Sequence, residues 1–325
     1  MQFREYIKEI MKNIYRKRVI KIIYKFVSPL INKLGVKIKI GNKELNQKKE
    51  SIVVVSHEAS ITGAPILALN ICKELAKKYN IITVILRDGE LAEEFLEISG
   101  VSIWPRYTIL SRGMLKRALC RITKPKYAIV NSIVSAKSIQ PLRDNGVPVI
   151  TLIHEFSAYI RPFNIMEIVG LWSNALVFSS ELTKQDILNN SPEIKNCRIK
   201  VLPQGKCQKI IKKEKIIGIN SAQDAAETYV KGLRSETILI LGAGQIQPRK
   251  GVDLFISVAS QILKINKRRQ IEFVWIGSGY NPDNDFNVSL WIKDQIERSG
   301  MRSNIRIFES SDAYSKLIER ANIFL

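Results

Sequence analysis

Residues 51–75 read SIVVVSHEASITGAPILALNICKEL. Ser51 to Val55 form a short, continuous, β-branched apolar run, the pattern of a strand buried on both faces. From Ile66 onward, apolar residues recur at helical spacing. Between the two lie one of the chain's only two histidines, a carboxylate and a glycine. A strand running through such a loop into a helix is the repeating corner of an α/β fold. In open α/β sheets, ligands sit beyond the carboxyl ends of the strands. This corner could therefore hold a catalytic pair, a metal or a phosphate, or serve only as a turn.

The same alternation continues on both sides of it. Strand-like runs recur as IITVIL (81–86), YAIVNS (127–132), VPVITLIHE (147–155), ALVFSS (175–180) and RIKVLPQG (198–205), with helical stretches between several of them. Short apolar strands separated by helices predict a parallel sheet covered on both faces. A lysine-rich interval without clear strands follows, and the alternation then restarts with TILILGAG (237–244), IEFVWIGSG (271–279), NIRIFES (304–310) and NIFL (322–325). The boundaries this predicts are an extension over 1–50, a first domain over 51–205, a linker over 206–235 and a second domain over 236–325.

The chain has 325 residues, 46% hydrophobic and 25% charged, which describes a globular protein rather than a disordered or fibrous one. Cys72, Cys120, Cys197 and Cys207 are scattered, with no C-x-x-C pair, which argues against a zinc ribbon or a disulfide framework and suits a reducing cytoplasm. The net charge of +21 is unusual. Part of it lies in residues 1–30, where Phe3, Ile7, Ile10 and Ile14 share one helical face and Lys8, Lys12, Arg16, Lys17 and Arg18 fill another. A second block, Ser111 to Lys126, is basic without a single acid. A basic amphipathic helix suits an anionic membrane surface. Nucleic acid is the weaker candidate, because the basic blocks lack interleaved aromatics. The expected location is the cytoplasmic face of a membrane, with the protein held there peripherally.

Several motifs fail their tests. HEASI and HEFSA lack the second histidine of H-E-x-x-H, so no metal site is expected at His57 or His154. GAGQIQPRKG (242–251) carries Gln247 where a dinucleotide fingerprint needs its third glycine, and Gly251 where a Walker loop needs Ser or Thr. What remains coherent is anion binding. Gly63 and Gly244 let backbone N–H groups approach a phosphate. Helices starting near Pro65 and Gly251 would aim their positive ends at it, and Arg249 and Lys250 add positive charge. Together these predict a cleft that closes on a nucleotide diphosphate. A strand-terminal histidine, by contrast, is more often a structural residue.

The run ILGAGQIQPRKGVDLFISVASQI, then EFVWIGSG, then NIFL, resembles the donor domain of retaining glycosyltransferases of the GT-B type, family 4. SHEASITGAPILALNICKEL is similar to the N-terminal glycine loop of the branch that reads S-H-E-x-S-x-T-G-A-P. VITLIHE resembles the strand bearing the family's active-site histidine. The resemblance implies two Rossmann-like, doubly wound parallel-sheet domains and transfer of a sugar from a UDP- or GDP-linked donor, with retention, to a polysaccharide or lipid-linked acceptor. It implies no cofactor and no metal. Carried over residue by residue, Lys250 matches the lysine on the donor diphosphate, with Gly244 and Arg249 in the same loop. Gly63 matches the first-domain loop glycine, and His154 the catalytic-site histidine near the transferred sugar. His57 and Glu58 are left as shapers of the loop. Gln245 stands where many members carry a phosphate-gripping arginine. NIFL leads, in the family, toward a pair of glutamates not present here, so the second domain is expected to be incomplete. The rival expectation is a truncated remnant or the binding subunit of a split enzyme.

Overall fold

A computed structural model describes residues 36–105, 125–162, 164–194, 197–205, 207, 219–266, 268–310 and 314–325. The expected helix within residues 1–30 and most of the basic block 111–126 lie outside the described residues. The chain divides into two units, Met1–Lys209 and Ile210–Leu325.

The elements of the first unit are β1 (Val36–Ile40), β2 (Ser51–Ser56), α1 (Gly63–Leu75), β3 (Asn80–Ile85), α2 (Ala92–Ile98), β4 (Val101–Pro105), β5 (Tyr127–Asn131), α3 (Ile139–Asp144), β6 (Val149–Ile153), α4 (Ile165–Trp172), β7 (Ala175–Phe178), α5 (Glu181–Asn190) and β8 (Arg198–Val201). The strands form one sheet in the order β1-β4-β3-β2-β5-β6-β7-β8, parallel except for β1. β2 pairs with β3 on one side and β5 on the other, and every one of its residues is buried. Its continuous run of branched apolar residues fits that double burial.

β1 and β4 add to the strands expected from the sequence. Val36–Ile40 pairs antiparallel with β4, so part of the stretch assigned to the extension belongs to the first sheet. β1 alternates apolar and lysine residues, as an edge strand does. Asn80 secures the segment that follows it. Its amide donates to the carbonyls of Asn46 (2.7 Å) and Lys49 (2.8 Å) and accepts from the Asn46 N–H (2.8 Å).

The second unit contains α6 (Ile219–Gly232), β9 (Ile238–Ala243), α7 (Val252–Ile265), β10 (Ile271–Ile276), α8 (Ser289–Ser299), β11 (Ile305–Phe308), α9 (Tyr314–Arg320) and β12 (Ile323–Phe324). Its strands form a fully parallel sheet in the order β11-β10-β9-β12. On one face Ile240, Phe273 and Trp275 pack with Val252, Phe255 and Ile256 of α7. On the other, Leu239, Leu241 and Val274 pack with Ala226 of α6 and Leu317 of α9. Both faces are thus covered, as in a doubly wound sheet. α6 falls inside the interval assigned to a linker, yet its buried Ala226 is part of this core.

Asn80 is only 6% exposed, and Asn80→Ala leaves three backbone groups without their partner. Urea unfolding of the first unit should show a loss of about 2–3 kcal/mol; a loss below about 0.5 kcal/mol would mean water replaces the amide.

Candidate functional site

In the first unit, polar groups gather at the carboxyl ends of β2, β5 and β6. β5 ends on Asn131, which is fully buried. Its Nδ2 donates to the Ala64 carbonyl in the first turn of α1 at 2.7 Å, and its Oδ1 lies 2.9 Å from His154 Nε2. The Ala64 carbonyl can only accept, so the amide orientation is set and Oδ1 must face the imidazole. His154 Nε2 therefore carries the proton, and Nδ1 presents its lone pair. That lone pair receives Gln204 Nε2 at 2.5 Å. Asn131 thus links the glycine loop to His154 and selects its tautomer.

Ser132, next along the chain, has φ 69°, a left-handed conformation uncommon for a residue with a side chain. Its hydroxyl donates to Glu155 Oε1 at 2.5 Å and accepts from the Val134 N–H at 3.3 Å. The other Glu155 oxygen accepts from the His154 N–H at 2.9 Å. Glu155 is thereby bound to its own strand end.

Glu58 is tied into its own loop. Oε1 accepts from the Ser60 hydroxyl at 2.6 Å, Oε2 pairs with Arg87 at 3.4 Å, and the Glu58 carbonyl accepts from Ser56 Oγ at 2.7 Å. His57 Nε2 lies 3.6 Å from Glu58 Oε1, while its buried Nδ1 has no partner among the described residues. Gly63 opens α1 with nothing within 4 Å of where a Cβ would stand, and its φ is not left-handed. The protein's own packing does not call for glycine at 63. In the first turn, the N–H groups of Gly63 and Ala64 have no intrahelical acceptor, while Pro65 supplies no donor.

In the second unit the backbone itself dictates the glycines. A Cβ on Gly277 would stand 1.8 Å from the Gly244 carbonyl oxygen, and that oxygen accepts from Trp275 Nε1 at 2.8 Å. Gly244 N–H donates to the Ile276 carbonyl at 3.0 Å. The turn that follows, Pro248–Lys250, is a single 3-10 turn closed by Gly251 at φ 74°, from which α7 starts. Lys250 lays its methylenes against Gly244: Cγ and Cδ would be 3.4 Å from a Cβ there. Gln245 packs beside Gly279, its Cγ 3.9 Å from the Cβ position, where φ is 91°. Arg249, Lys250 and Gln245 are exposed at this turn. Asp253, in the first turn of α7, offsets part of the basic charge. Among the described residues no group of three or more His, Cys, Asp or Glu side chains could hold a metal ion.

The structure thus brings His57, Glu58, Gly63 and His154 to one edge of the first sheet, and Gly244, Gln245, Arg249 and Lys250 to one turn of the second unit. Sequence reasoning did not single out Asn131, Ser132, Gln204 or Trp275. The available signal was a polar pair closing the apolar strand YAIVNS.

No protein-family model matches this sequence, and no curated protein matches it. Solved structures do. Sucrose-phosphate synthase from Thermosynechococcus elongatus is similar with a TM-score of 0.59 at 12% identity, over 85% of this chain and 75% of that one. A UDP-forming trehalose-phosphate synthase from Burkholderia xenovorans gives 0.54 at 12% identity, over 85% and 77%. The E. coli trehalose-6-phosphate synthase bound with UDP-2-fluoro glucose gives 0.53 at 12%, over 85% and 77%. The likeness carries the fold, which is that of the GT-B glycosyltransferases.

Burial holds both histidines below their ordinary value of 6.5, against the opposing pull of Glu58 and Glu155 on His57 and of Glu155 on His154. The unfolded chain then takes up protons that the folded one refuses. Stability is full above about pH 6.5 and falls as the pH drops below it. Urea midpoints at pH 7.5 and 5.5 should therefore differ, and the double variant His57→Gln/His154→Gln should narrow the gap. Imidazole nitrogen NMR, simple with two histidines, should show His154 as the Nε2–H tautomer, with mixed tautomers in Asn131→Ala.

Proposed function

We propose that the chain is a retaining glycosyltransferase of the family 4 type, taking a sugar from a UDP- or GDP-linked donor and passing it to a polysaccharide or lipid-linked acceptor. The observation that carries this reading is the second unit's glycine turn, where Lys250 is laid along Gly244 ahead of the N-terminus of α7. Departure of a nucleoside diphosphate builds negative charge on the leaving group. An ammonium and a helix N-terminus already in place stabilise that charge without reorganising during reaction. The GT-B fold, shared with an E. coli protein solved bound with UDP-2-fluoro glucose, supports the same reading.

In the first unit, Gly63 leaves room beside two N–H groups of α1 for an anionic oxygen. His154 acts as a neutral group whose Nδ1 accepts a hydrogen bond from a sugar hydroxyl when Gln204 gives way. Asn131 positions it. His57 and Glu58 shape the loop. No metal or cofactor is required in this scheme, because lysine and helix ends provide the electrostatic stabilisation. The N-terminal 30 residues, basic and amphipathic by sequence, hold the enzyme peripherally on the inner face of an anionic membrane.

Calorimetric titration with UDP and GDP should show saturable binding to one of them, weakened at least tenfold by Lys250→Ala; unchanged affinity would overturn the assignment. Gly63→Ala should leave stability equal or raise it by about 0.5–1 kcal/mol while turnover of the sugar donor falls. Deleting residues 1–30 should abolish sedimentation with phosphatidylserine vesicles, and undiminished sedimentation would exclude that segment as the anchor.

A further inference from the structure

A basic cavity opens in the second unit, at the end of its sheet away from the Gly244 turn. Arg234, Glu236, Ile238, Arg268, Arg269 and Gln270 line a space of about 500 Å³, within the range of sites that hold small ligands. Ile238 opens β9, Gln270 immediately precedes β10, and the two strands pair in parallel, so the cavity lies at their amino ends. The six residues of β9 separate it from Gly244 by about 20 Å, at about 3.3 Å per residue. It is a different place from the turn that carries Lys250.

Three arginines line this cavity, and none of them forms an ion pair or a side-chain hydrogen bond among the described residues. Other arginines of the same unit are engaged. Arg298 pairs with Asp294 at 2.8 Å, Arg302 with Glu297 at 4.0 Å, and Arg306 lies over the Tyr229 ring at 5.6 Å. Arg320 donates to the carbonyls of Arg234 and Thr237, both at 2.9 Å, and so fixes the turn that carries Arg234. Glu236 is the one acid in the lining, and its Oε2 accepts from the Ser235 hydroxyl at 3.1 Å rather than from a guanidinium.

A cation near the carboxyl end of α7 would be ordinary, but Lys264 already stands in that helix's last turn. Arg268 and Arg269 lie beyond it, and Arg234 comes from another segment altogether. Each guanidinium presents a planar fork of N–H donors that matches two phosphate oxygens. Three positive charges against one negative leave an excess of two, which balances a phosphate monoester near neutral pH.

We propose that this cavity binds a phosphate monoester, held by Arg234, Arg268 and Arg269 at a site separate from that of the sugar donor. A free phosphorylated metabolite and the monoester headgroup of a lipid present the same dianion, and the test separates them. The inference stands whether or not the glycosyl-transfer reading does.

The test titrates the full chain carrying Lys250→Ala, which weakens the other basic turn as a competing anion site, with glycerol 3-phosphate and with glycerol. Glycerol 3-phosphate should bind saturably and glycerol should not. Arg234→Gln and Arg268→Lys/Arg269→Lys should each lower that affinity at least tenfold, the second keeping the charge but losing the forks. All three side chains are exposed, so urea midpoints should not move. UDP and GDP binding, measured with Lys250 intact, should also stay unchanged. In the lipid arm, vesicles of phosphatidic acid, a monoester, are compared with vesicles of phosphatidylserine, a diester, at equal surface charge. A preference for phosphatidic acid that Arg268→Lys/Arg269→Lys erases assigns the site to a lipid headgroup. Binding of glycerol 3-phosphate without that preference assigns it to a soluble ester. Absence of saturable binding in both arms would overturn the proposal. Full affinity in the lysine pair would reduce the cavity to a diffuse positive surface and overturn it too, as would a loss of nucleotide binding in either variant.

Discussion

A strand buried on both faces cannot carry reactive groups along its length, and that constraint organises the first unit. Every residue of β2 is buried, and β3 on one side of it and β5 on the other complete its backbone hydrogen bonds. A charged or solvated side chain within such a strand would meet apolar neighbours above or below it, at a cost of several kcal/mol. Ionisable and strongly polar side chains are therefore displaced to the strand ends. Asn131 is the last residue of β5, and His154 and Glu155 are the first two after β6. The amino ends of the same strands carry polar groups as well, but those of Asn80 are consumed in fastening the chain that precedes β2.

The two units hold their loops by different means. In the first, side chains do it: Asn131 bridges α1 to His154, and Ser132 joins Glu155 across a strand end. In the second, backbone proximity does it. Gly277 passes so close to the Gly244 carbonyl that no side chain fits, and the Trp275 indole takes up that carbonyl's free acceptor capacity. A hydrogen-bonded network can be retuned one residue at a time, since each partner has an isostere. A glycine contact of 1.8 Å to a would-be Cβ has no substitute.

Much of this was legible in the sequence, because burial on both faces writes itself as unbroken apolar runs. β2, β3, β5 to β7, β9 and β10 announce themselves this way, and the glycines of residues 242–251 mark a turn that the backbone does require. β4 was missed because VSIWP is short and closes on proline. β1 was missed because VKIKI alternates with lysine, as a one-sided edge strand must. α6 was hidden in a lysine-rich interval whose buried residues are few and small, Ala226 among them. Asn131 was illegible for a different reason. Its partners lie 67 residues away in α1 and 23 away at His154, and no local periodicity records a contact of that span.

The electrostatics of the two units differ. With both histidines kept neutral by burial, the imidazoles can accept or donate hydrogen bonds but cannot neutralise an anion at pH 7. Gln245 brings no charge to its turn either. Positive charge on the second unit's turn comes from Arg249 and Lys250, reduced by Asp253 in the next turn. The methylenes of Lys250 lie beside Gly244, 3.4 Å from where a Cβ would stand. Ordering a lysine ordinarily sacrifices most of its rotamer freedom. A stem already packed on glycine has met part of that cost before any ligand arrives. A Cβ at 244 would meet that stem at ordinary contact distance, 3.4 Å, but on a backbone at φ 152° that favours glycine. The glycine at 244 and the lysine at 250 are thus joined by packing rather than by charge.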